Sequence, residues 1–133
     1  MIVVFDTNVL IAAIITEGIC SKLLRRARSG EFSLISCPFI LKELRLVLSK
    51  KFRLSHEDIA SAMEPISEAI GQVIEHGPKI TDICRDADDD YIVACAVAAE
   101  ADYLVTGDSD LLEIKNYQDI KFISPRDFEA LFV

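Results

Sequence analysis

Short apolar segments that end at polar or acidic residues are the feature that most constrains the fold of this chain. Residues 1–5 are followed at once by Asp6, and residues 103–105 by Thr106 and then Asp108. Apolar, β-branched runs of this length are typical of strands buried in a parallel sheet. The carboxyl ends of parallel strands form one edge, where ligands bind in open α/β sheets. We therefore expect these acids to lie along one edge of a sheet.

Segments with strand signals alternate with segments that have helix signals along the whole chain. Strands are predicted at residues 2–6, 32–36, 72–74, 102–106 and 120–124. Helices are predicted at 8–15, 20–29, 38–51, from Ser55 onward, 88–100, 110–114 and 125–132, and Pro65 is expected to kink or split the fourth. Such alternation favours parallel strand connections with helices on both faces of the sheet. The sequence therefore predicts one α/β domain, residues 1–133, around a mainly parallel sheet of about five strands.

The composition excludes several classes of protein. Of 133 residues, 51% are apolar, which suits a folded domain with a substantial core. No uninterrupted apolar run reaches the roughly 18 residues of a membrane span, and no signal-peptide pattern is present, so we expect a cytoplasmic protein with no membrane partner. The cysteines form no C-x-x-C pair and are expected to be reduced core residues rather than zinc ligands: Cys20, Cys37, Cys84 and Cys95.

The net charge of −8 results from 14 Lys and Arg residues against 22 Asp and Glu residues. This balance alone argues against a nucleic-acid partner, because phosphate binding needs basic surface, but the distribution of charge matters more than its sum. Each basic cluster alone is typical of solvated helix surface, and together the clusters are candidates for steering a phosphate backbone. The clusters are Arg25, Arg26 and Arg28, then Lys42 and Arg45, then Lys50, Lys51 and Arg53.

Glu43 is predicted to lie within an apolar stripe of a helix. Its neighbours three and four residues away are all apolar: Phe39, Ile40, Leu46 and Val47. A carboxylate in such a stripe is costly to bury unless it is paired or bound to a metal ion. The alternative is a partly exposed glutamate at the margin of the stripe.

An acidic run opens the helix predicted at 88–100. Acids in a first turn stabilise the helix dipole, but four within five residues exceed what capping requires, because they repel one another. Asp89 and Asp86 share a helical face that is expected to point inward. Asp88 is expected to be solvated, and the orientation of Asp90 is left open.

Taken singly, Asp6 could be a helix N-cap, and Asp108 and Asp110 could belong to a polar loop. Acids on four separate elements are nevertheless hard to explain as independent caps. Thr106 is placed to orient a neighbouring carboxylate or a water molecule. Carboxylate-rich oxygen sites suit Mg²⁺ or Mn²⁺, which can hold a phosphate and activate a water. No Ser-His-Asp, Cys-His, Walker A or glycine-rich dinucleotide pattern competes with this interpretation.

Four short motifs occur in a characteristic order. They are Val4–Leu10, Glu43 within Leu41–Leu44, Arg85–Asp90 before an alanine-rich helix, and Tyr103–Leu112. In this order and spacing the set resembles the PIN-domain family of metal-dependent nucleases over nearly the whole chain. It looks closest to the small prokaryotic branch regarded as toxin components of toxin–antitoxin pairs.

This resemblance implies an α/β/α sandwich with one or two Mg²⁺ or Mn²⁺ ions in a carboxylate pocket. The implied activity is hydrolysis of RNA that leaves 5′-phosphate and 3′-hydroxyl ends. The acidic quartet matches Asp6, Glu43, Asp89 and Asp108, with Glu43 either holding a second ion or orienting the attacking water. Asp90 remains an alternative to Asp89, and Asp110 an alternative to Asp108. The implied auxiliary residues are Asn8, Asp86, Asp90, Thr106 and Asp110.

The resemblance makes RNA the expected substrate and a cognate antitoxin an expected partner. A homodimer is left open, because the apolar residues near the C-terminus could pack internally or against a second copy: Phe128, Leu131, Phe132 and Val133. The alternatives are a non-catalytic PIN-like module that binds RNA or protein, or a nuclease of RNA processing. An aspartyl-phosphate phosphatase fits less well, since Asn8 stands where its second Asp is needed. A receiver domain would need an acceptor Asp at the end of its third strand, and no convincing candidate stands there.

Overall fold

The computed structural model describes residues 1–75 and 77–132. Strands and helices alternate along these residues, as the sequence predicts. They are β1 (Ile2–Phe5), α1 (Thr7–Ile15), α2 (Ile19–Arg28), β2 (Ser33–Ser36), α3 (Pro38–Lys50), α4 (His56–Ala69), β3 (Ile70–Val73), α5 (Ala87–Ala98), β4 (Tyr103–Val105), α6 (Ser109–Ile114), β5 (Asn116–Tyr117), β6 (Ile120–Ile123) and α7 (Pro125–Glu129), followed by a 3-10 turn at Ala130–Phe132.

The strands form a single sheet in the order β3-β2-β1-β4-β6-β5. Neighbouring strands are parallel except for β5, which runs antiparallel to β6. β1 lies inside the sheet with β2 on one side and β4 on the other, in a register that pairs Phe5 with Val105. The predicted α/β sandwich with a mainly parallel sheet is confirmed. The carboxyl ends of β1, β2 and β4 consequently lie side by side.

Three details differ from the sequence prediction. The sheet has six strands rather than about five, because the two-residue strand β5 pairs with β6 across a tight turn and is too short to give an apolar pattern. β3 begins at Ile70, directly after α4, so helix and strand share one continuous stretch with no breaker between them. α4 is not split at Pro65, although splitting is one of the two outcomes predicted there: the N–H that proline lacks would have served the carbonyl of Ser61, and Ser61 is exposed to water.

Apolar side chains of the central strands are almost completely buried, with 0–1% of Val3, Val4, Phe5, Leu104 and Val105 exposed. A cluster of aromatic side chains packs between the sheet and α7. Contacting rings in this cluster have centroids 5.2–6.5 Å apart, and its members are Phe5, Phe32, Tyr103, Phe128 and Phe132. Phe128 therefore packs internally, whereas Leu131 remains exposed. Val133 lies outside the described residues.

Within residues 1–75 and 77–132, no single helix is long and apolar enough to cross a membrane. α1 and α2 reach that criterion only when taken together, and they meet at an angle of 99°.

The Ser36 side chain at the end of β2 gives a stability prediction. It is buried, and its hydroxyl has no hydrogen-bond partner among the described residues. A buried polar group without a partner costs free energy that an apolar replacement does not. We expect Ser36→Ala to raise the free energy of unfolding by about 1 kcal/mol in urea denaturation.

Ser21→Ala is the matched control, because the buried Ser21 hydroxyl donates to the carbonyls of Ala13 and Thr16. This change should lower the free energy of unfolding by about 1 kcal/mol. Equal losses in the two variants would show that the Ser36 hydroxyl does have a partner in solution.

Candidate active site

The carboxylate of Asp6 is held at the end of β1 by neighbouring groups. Asp6 caps α1, since its Oδ1 accepts from the backbone N–H of Asn8 at 3.2 Å, and its Oδ2 accepts from the Thr106 hydroxyl at 2.6 Å. Both Asp6 and Thr106 are buried. Burial raises the pKa of Asp6, and the nearby carboxylate of Asp108 raises it further, while the bond from Thr106 acts in the opposite direction. Asp6 is thus both a helix cap and part of an acidic cluster.

Thr106 connects Asp6 to Asp108. While its hydroxyl donates to Asp6, the same oxygen accepts from the backbone N–H of Asp108 at 3.0 Å. Asp108 in turn caps α6 by accepting from the N–H of Asp110 at 2.9 Å. The loop after β4 is therefore arranged around the carboxylate that follows β1.

The four aspartates before and within α5 have different surroundings. Asp86 caps the helix by accepting from the N–H of Asp88, and Asp88 is exposed as expected. Asp90 is buried but accepts from the N–H of Cys84 at 2.8 Å, so it stabilises the preceding loop. Asp89 is the residue of this run that lies next to both Asp6 and Asp108.

Crowding of negative charge is strongest at Asp89. Burial is the largest cause that raises its pKa, to about 7, and the carboxylates of Asp108, Asp6 and Asp86 raise it as well. A carboxyl group with such a pKa lies in an environment that disfavours a further negative charge. The side chains of Asp6, Asp89 and Asp108 therefore form one cluster, and Asp86 lies at its border.

Glu43 is tied to the same edge through Thr7. The buried Thr7 hydroxyl donates to Glu43 Oε1 at 2.5 Å, and Thr7 directly follows Asp6 in the chain. Glu43 itself is partly exposed, so of the two interpretations of its apolar stripe, the structure agrees with a position at the margin. Sequence analysis did not single out Thr7, because a threonine in the first turn of a helix gives no signal of its own.

The sequence analysis names Arg85 only as the first residue of the Arg85–Asp90 motif. In the structure its guanidinium lies 3.6 Å from Asp110 Oδ1; the Arg85 side chain is largely open to solvent, and that of Asp110 is partly exposed. This brings a cation to the rim of the acidic cluster. Asn8, predicted as an auxiliary residue, is exposed beside Asp6 at the start of α1.

The donor set suits a divalent cation, although the side chains do not form a closed cage. Among residues 1–75 and 77–132, no three His, Cys, Asp or Glu side chains converge closely enough to bind one ion by themselves. Mg²⁺ does not need such a cage, since it keeps several waters and is usually bound by one or two carboxylates. Clustered carboxylate oxygens match Mg²⁺ or Mn²⁺ better than Zn²⁺.

The predicted basic clusters differ in their contacts. Arg26 is engaged by Glu129 and Glu31 and lies over the ring of Phe132, so it joins α2 to α7. Arg28 contacts Glu68, and Arg25 approaches Glu17 at 3.7 Å. In the part of the chain that the structure describes, the remaining cations are exposed and form no ion pair within 4.0 Å: Lys42, Arg45, Lys50, Lys51 and Arg53.

A model of the PIN domain matches residues 2–110, a range that includes all four acids of the predicted quartet. The chain belongs to the PIN-domain family. Its fold is also similar to a solved structure of VapBC2 from Rickettsia felis bound to a DNA fragment from their promoter. That similarity has a TM-score of 0.69 at 19% sequence identity and covers 93% of this chain and 98% of the other. A comparison with curated protein sequences gives no match.

The raised pKa of Asp89 in this PIN domain gives a test of the carboxylate cluster. A carboxyl group whose pKa rises on folding contributes stability below its unfolded value of 3.8, and this contribution is lost as the pH rises to about 7. Without divalent ions, Asp89→Asn should therefore increase the free energy of unfolding at pH 8, and the increase should shrink towards pH 4. Urea denaturation across this pH range measures the effect.

Asp88→Asn is the control for Asp89→Asn, because Asp88 lies in the same helical turn but is exposed. Asp88→Asn should leave the dependence of the free energy of unfolding on pH as it is in the native chain. If the native chain and Asp89→Asn lose stability identically between pH 4 and pH 8, Asp89 does not interact with the neighbouring carboxylates.

Proposed function

We propose that this PIN domain is a ribonuclease that uses Mg²⁺ or Mn²⁺ to hydrolyse RNA phosphodiester bonds. The observation that carries the proposal is the clustering of Asp6, Asp89 and Asp108, where burial and the neighbouring carboxylates together raise the pKa of Asp89 to about 7. A protein tolerates such repulsion where a bound cation compensates for it. Family membership supports the proposal, because the match spans the residues that form the cluster.

Asp6, Asp89 and Asp108 are the residues that would hold one ion, directly or through water, and Glu43 would hold a second ion or orient the attacking water. A bound ion at this place supplies an activated water and neutralises charge on the phosphate. Phosphate transfer depends mainly on positioning and charge neutralisation, so no covalent intermediate with the protein is required.

Two threonines position the carboxylates in this proposal. Thr106 fixes the orientation of Asp6, and Thr7 fixes that of Glu43. Both threonines are buried, and the bond from Thr106 to Asp6 is shielded from competing water. Arg85, at the rim, is placed to contact a phosphate of the substrate, since it is largely exposed and its contact with Asp110 is long.

Exposed cations on α3 give the acidic domain a route by which RNA can approach. Lys42 and Arg45 are exposed three residues apart and are neighbours on the surface of α3, while Lys50 and Arg53 are exposed near the end of the helix and just after it. Glu43 lies on the same helix, at the margin of its apolar stripe. These cations offset the repulsion between the phosphate backbone and a chain with net charge −8.

Asp6→Asn tests the proposed chemistry directly. Asparagine keeps the shape of the side chain and is an effective helix cap, so the fold should persist. We expect cleavage of a labelled RNA in the presence of Mn²⁺ to fall at least about 100-fold, which is typical for loss of one preorganised charge contact. Circular dichroism would confirm that the variant is folded.

Asp119→Asn is the control for this experiment, because Asp119 is an exposed acid in the turn between β5 and β6. It should cleave RNA as the native chain does. Equal cleavage by the native chain and Asp6→Asn would reject the nuclease proposal, and absence of cleavage in all three would favour a non-catalytic module that binds RNA or protein.

The salt dependence of RNA binding tests the role of α3. Each phosphate contact contributes about 0.7 to the slope of log affinity against log salt for a single strand. We expect Arg45→Ala to lower the slope by roughly this amount. Lys121→Ala, which removes an exposed cation from β6, should leave the slope unchanged. If Arg45→Ala also leaves it unchanged, RNA does not approach along α3.

We further propose that the domain is the toxin of a toxin–antitoxin pair in the cytoplasm, with an antitoxin as its protein partner. The motif resemblance to the toxin branch and the structural likeness to VapBC2 support this proposal. A role in RNA processing is the alternative. Expressing the domain with and without the product of the adjacent reading frame distinguishes the two, because a toxin arrests growth only when its antitoxin is missing.

A further inference from the structure

A cleft separate from the acidic cluster lies between α3, α5 and the segment that follows β3. Its volume is about 370 Å³, which is within the range of small-ligand sites. The cleft wall contains small side chains of α5 and two aromatic residues: Ala94, Cys95, Ala98, Phe39 and Tyr91. Nothing in the proposed hydrolysis uses this cleft.

The two aromatic rings form a platform at the mouth of the cleft. Phe39 and Tyr91 are stacked, with ring centroids 4.8 Å apart and an interplanar angle of 25°. Tyr91 is nonetheless 59% exposed, so the ring face opposite Phe39 is open to solvent. Stacking against Phe39 fixes the orientation of the tyrosine ring. A large, flat, immobilised and solvent-exposed aromatic surface is the arrangement on which unpaired nucleobases stack in proteins that bind single strands.

The platform lies close to the proposed catalytic residues. Phe39 precedes Glu43 by four residues on α3, which places the two side chains on one face about 5–6 Å apart at Cβ. Tyr91 points to the other side of α5 from Asp89, but it stacks on Phe39 and is therefore close to Glu43. A nucleotide stacked on Tyr91 would thus lie near Glu43, at the border of the proposed catalytic residues.

The charges around the platform are mixed. Lys79 and Glu75 line the cleft, and Lys42 is exposed on α3 one turn beyond Phe39. Asp88 is exposed one turn before Tyr91, so the exposed aromatic ring, rather than net charge, is the feature that suits a nucleobase. The opposite wall is held close to α5 at Gly77, where an added Cβ would lie only 3.1 Å from the carbonyl oxygen of Ala94.

We propose that the stacked pair of Phe39 and Tyr91 is a nucleobase subsite that binds one unpaired base of the substrate beside the cleavage site. The inference rests on the proposed ribonuclease function and adds a requirement to it. The RNA must present a base that is free to leave its helix, so the domain selects loops and single strands over duplex. Stacking is tolerant of base identity, so the subsite selects for unpaired nucleotides rather than for a sequence.

Binding in EDTA tests the subsite without cleavage. The probe is a labelled eight-nucleotide single-stranded RNA, together with a series in which one position at a time lacks its base. In the native chain one position of the series should bind roughly 5- to 150-fold more weakly than the intact RNA. Tyr91→Phe should preserve this difference, whereas Tyr91→Leu, which keeps apolar bulk without an aromatic face, should remove it. If the native chain and Tyr91→Leu show the same dependence on the missing base, the subsite is rejected.

A fluorescence measurement provides a second readout. The chain contains no Trp, so Tyr91→Trp introduces a single indole that should be quenched when the RNA binds. Tyr117→Trp, at the far edge of the sheet, is the control and should not be quenched. Quenching in neither variant would overturn the proposal.

The outcome of each experiment separates the subsite from the proposed function. Binding that depends on Tyr91 without any cleavage supports the subsite and rejects the nuclease. Cleavage that is insensitive to Tyr91→Leu supports the nuclease and rejects the subsite. If Tyr91→Leu leaves RNA binding unchanged but converts a dimer to a monomer in sedimentation analysis, the platform packs against a second copy and the proposal fails.

Discussion

The parallel pairing of β1 with β4 is the constraint on which the candidate site depends. Phe5 pairs with Val105, and the N–H of Asp6 donates to the carbonyl of Val105 at 2.9 Å. The next residues in register, Asp6 and Thr106, therefore face each other where the strands end, and the hydroxyl of Thr106 reaches the carboxylate. A shift of one residue would turn these side chains to the opposite face of the sheet. The site is thus a direct consequence of strand register.

Three of the acids at this edge also serve the local backbone as helix caps. Asp6, Asp86 and Asp108 cap α1, α5 and α6, so the helices that follow β1 and β4 begin with their positive ends near the cluster. These helix ends stabilise the carboxylates in part. Asp89 caps no helix, and burial together with the neighbouring carboxylates raises its pKa to about 7. The fold therefore places three capping acids at this edge and a fourth, partly buried acid among them.

Much of the fold could be predicted from the sequence because its signals are local. Apolar runs with β-branched residues mark β1, β2, β4 and β6, and their alternation with helices implies parallel connections. β5 could not be predicted, since two residues carry no periodicity and the strand exists only through pairing with β6. The exact start of β3 was hidden because α4 runs into the strand without a breaking residue.

The acids of the candidate site can be proposed from the sequence, but their separate environments cannot. Asp89 and Asp90 are adjacent and chemically identical; in the structure Asp90 accepts from the N–H of Cys84, whereas Asp89 lies next to Asp6 and Asp108. The role of Thr7 depends on a contact across 36 positions, which no local pattern encodes. Sequence reasoning thus finds residues whose placement follows from strand ends, and it misses those whose orientation depends on tertiary packing.

The overall acidity of the chain is compatible with an RNA partner because the two kinds of charge occupy different elements. The acids of the cluster follow the strand ends and are partly enclosed, whereas the cations of α3 are exposed to solvent. In the proposed function, a phosphate backbone would be drawn first to α3 and would meet the carboxylates only at the edge of the sheet, where a bound ion would reverse their effect. Net charge describes how the whole molecule behaves at long range, while the placement of exposed and enclosed charges determines what can bind at the site.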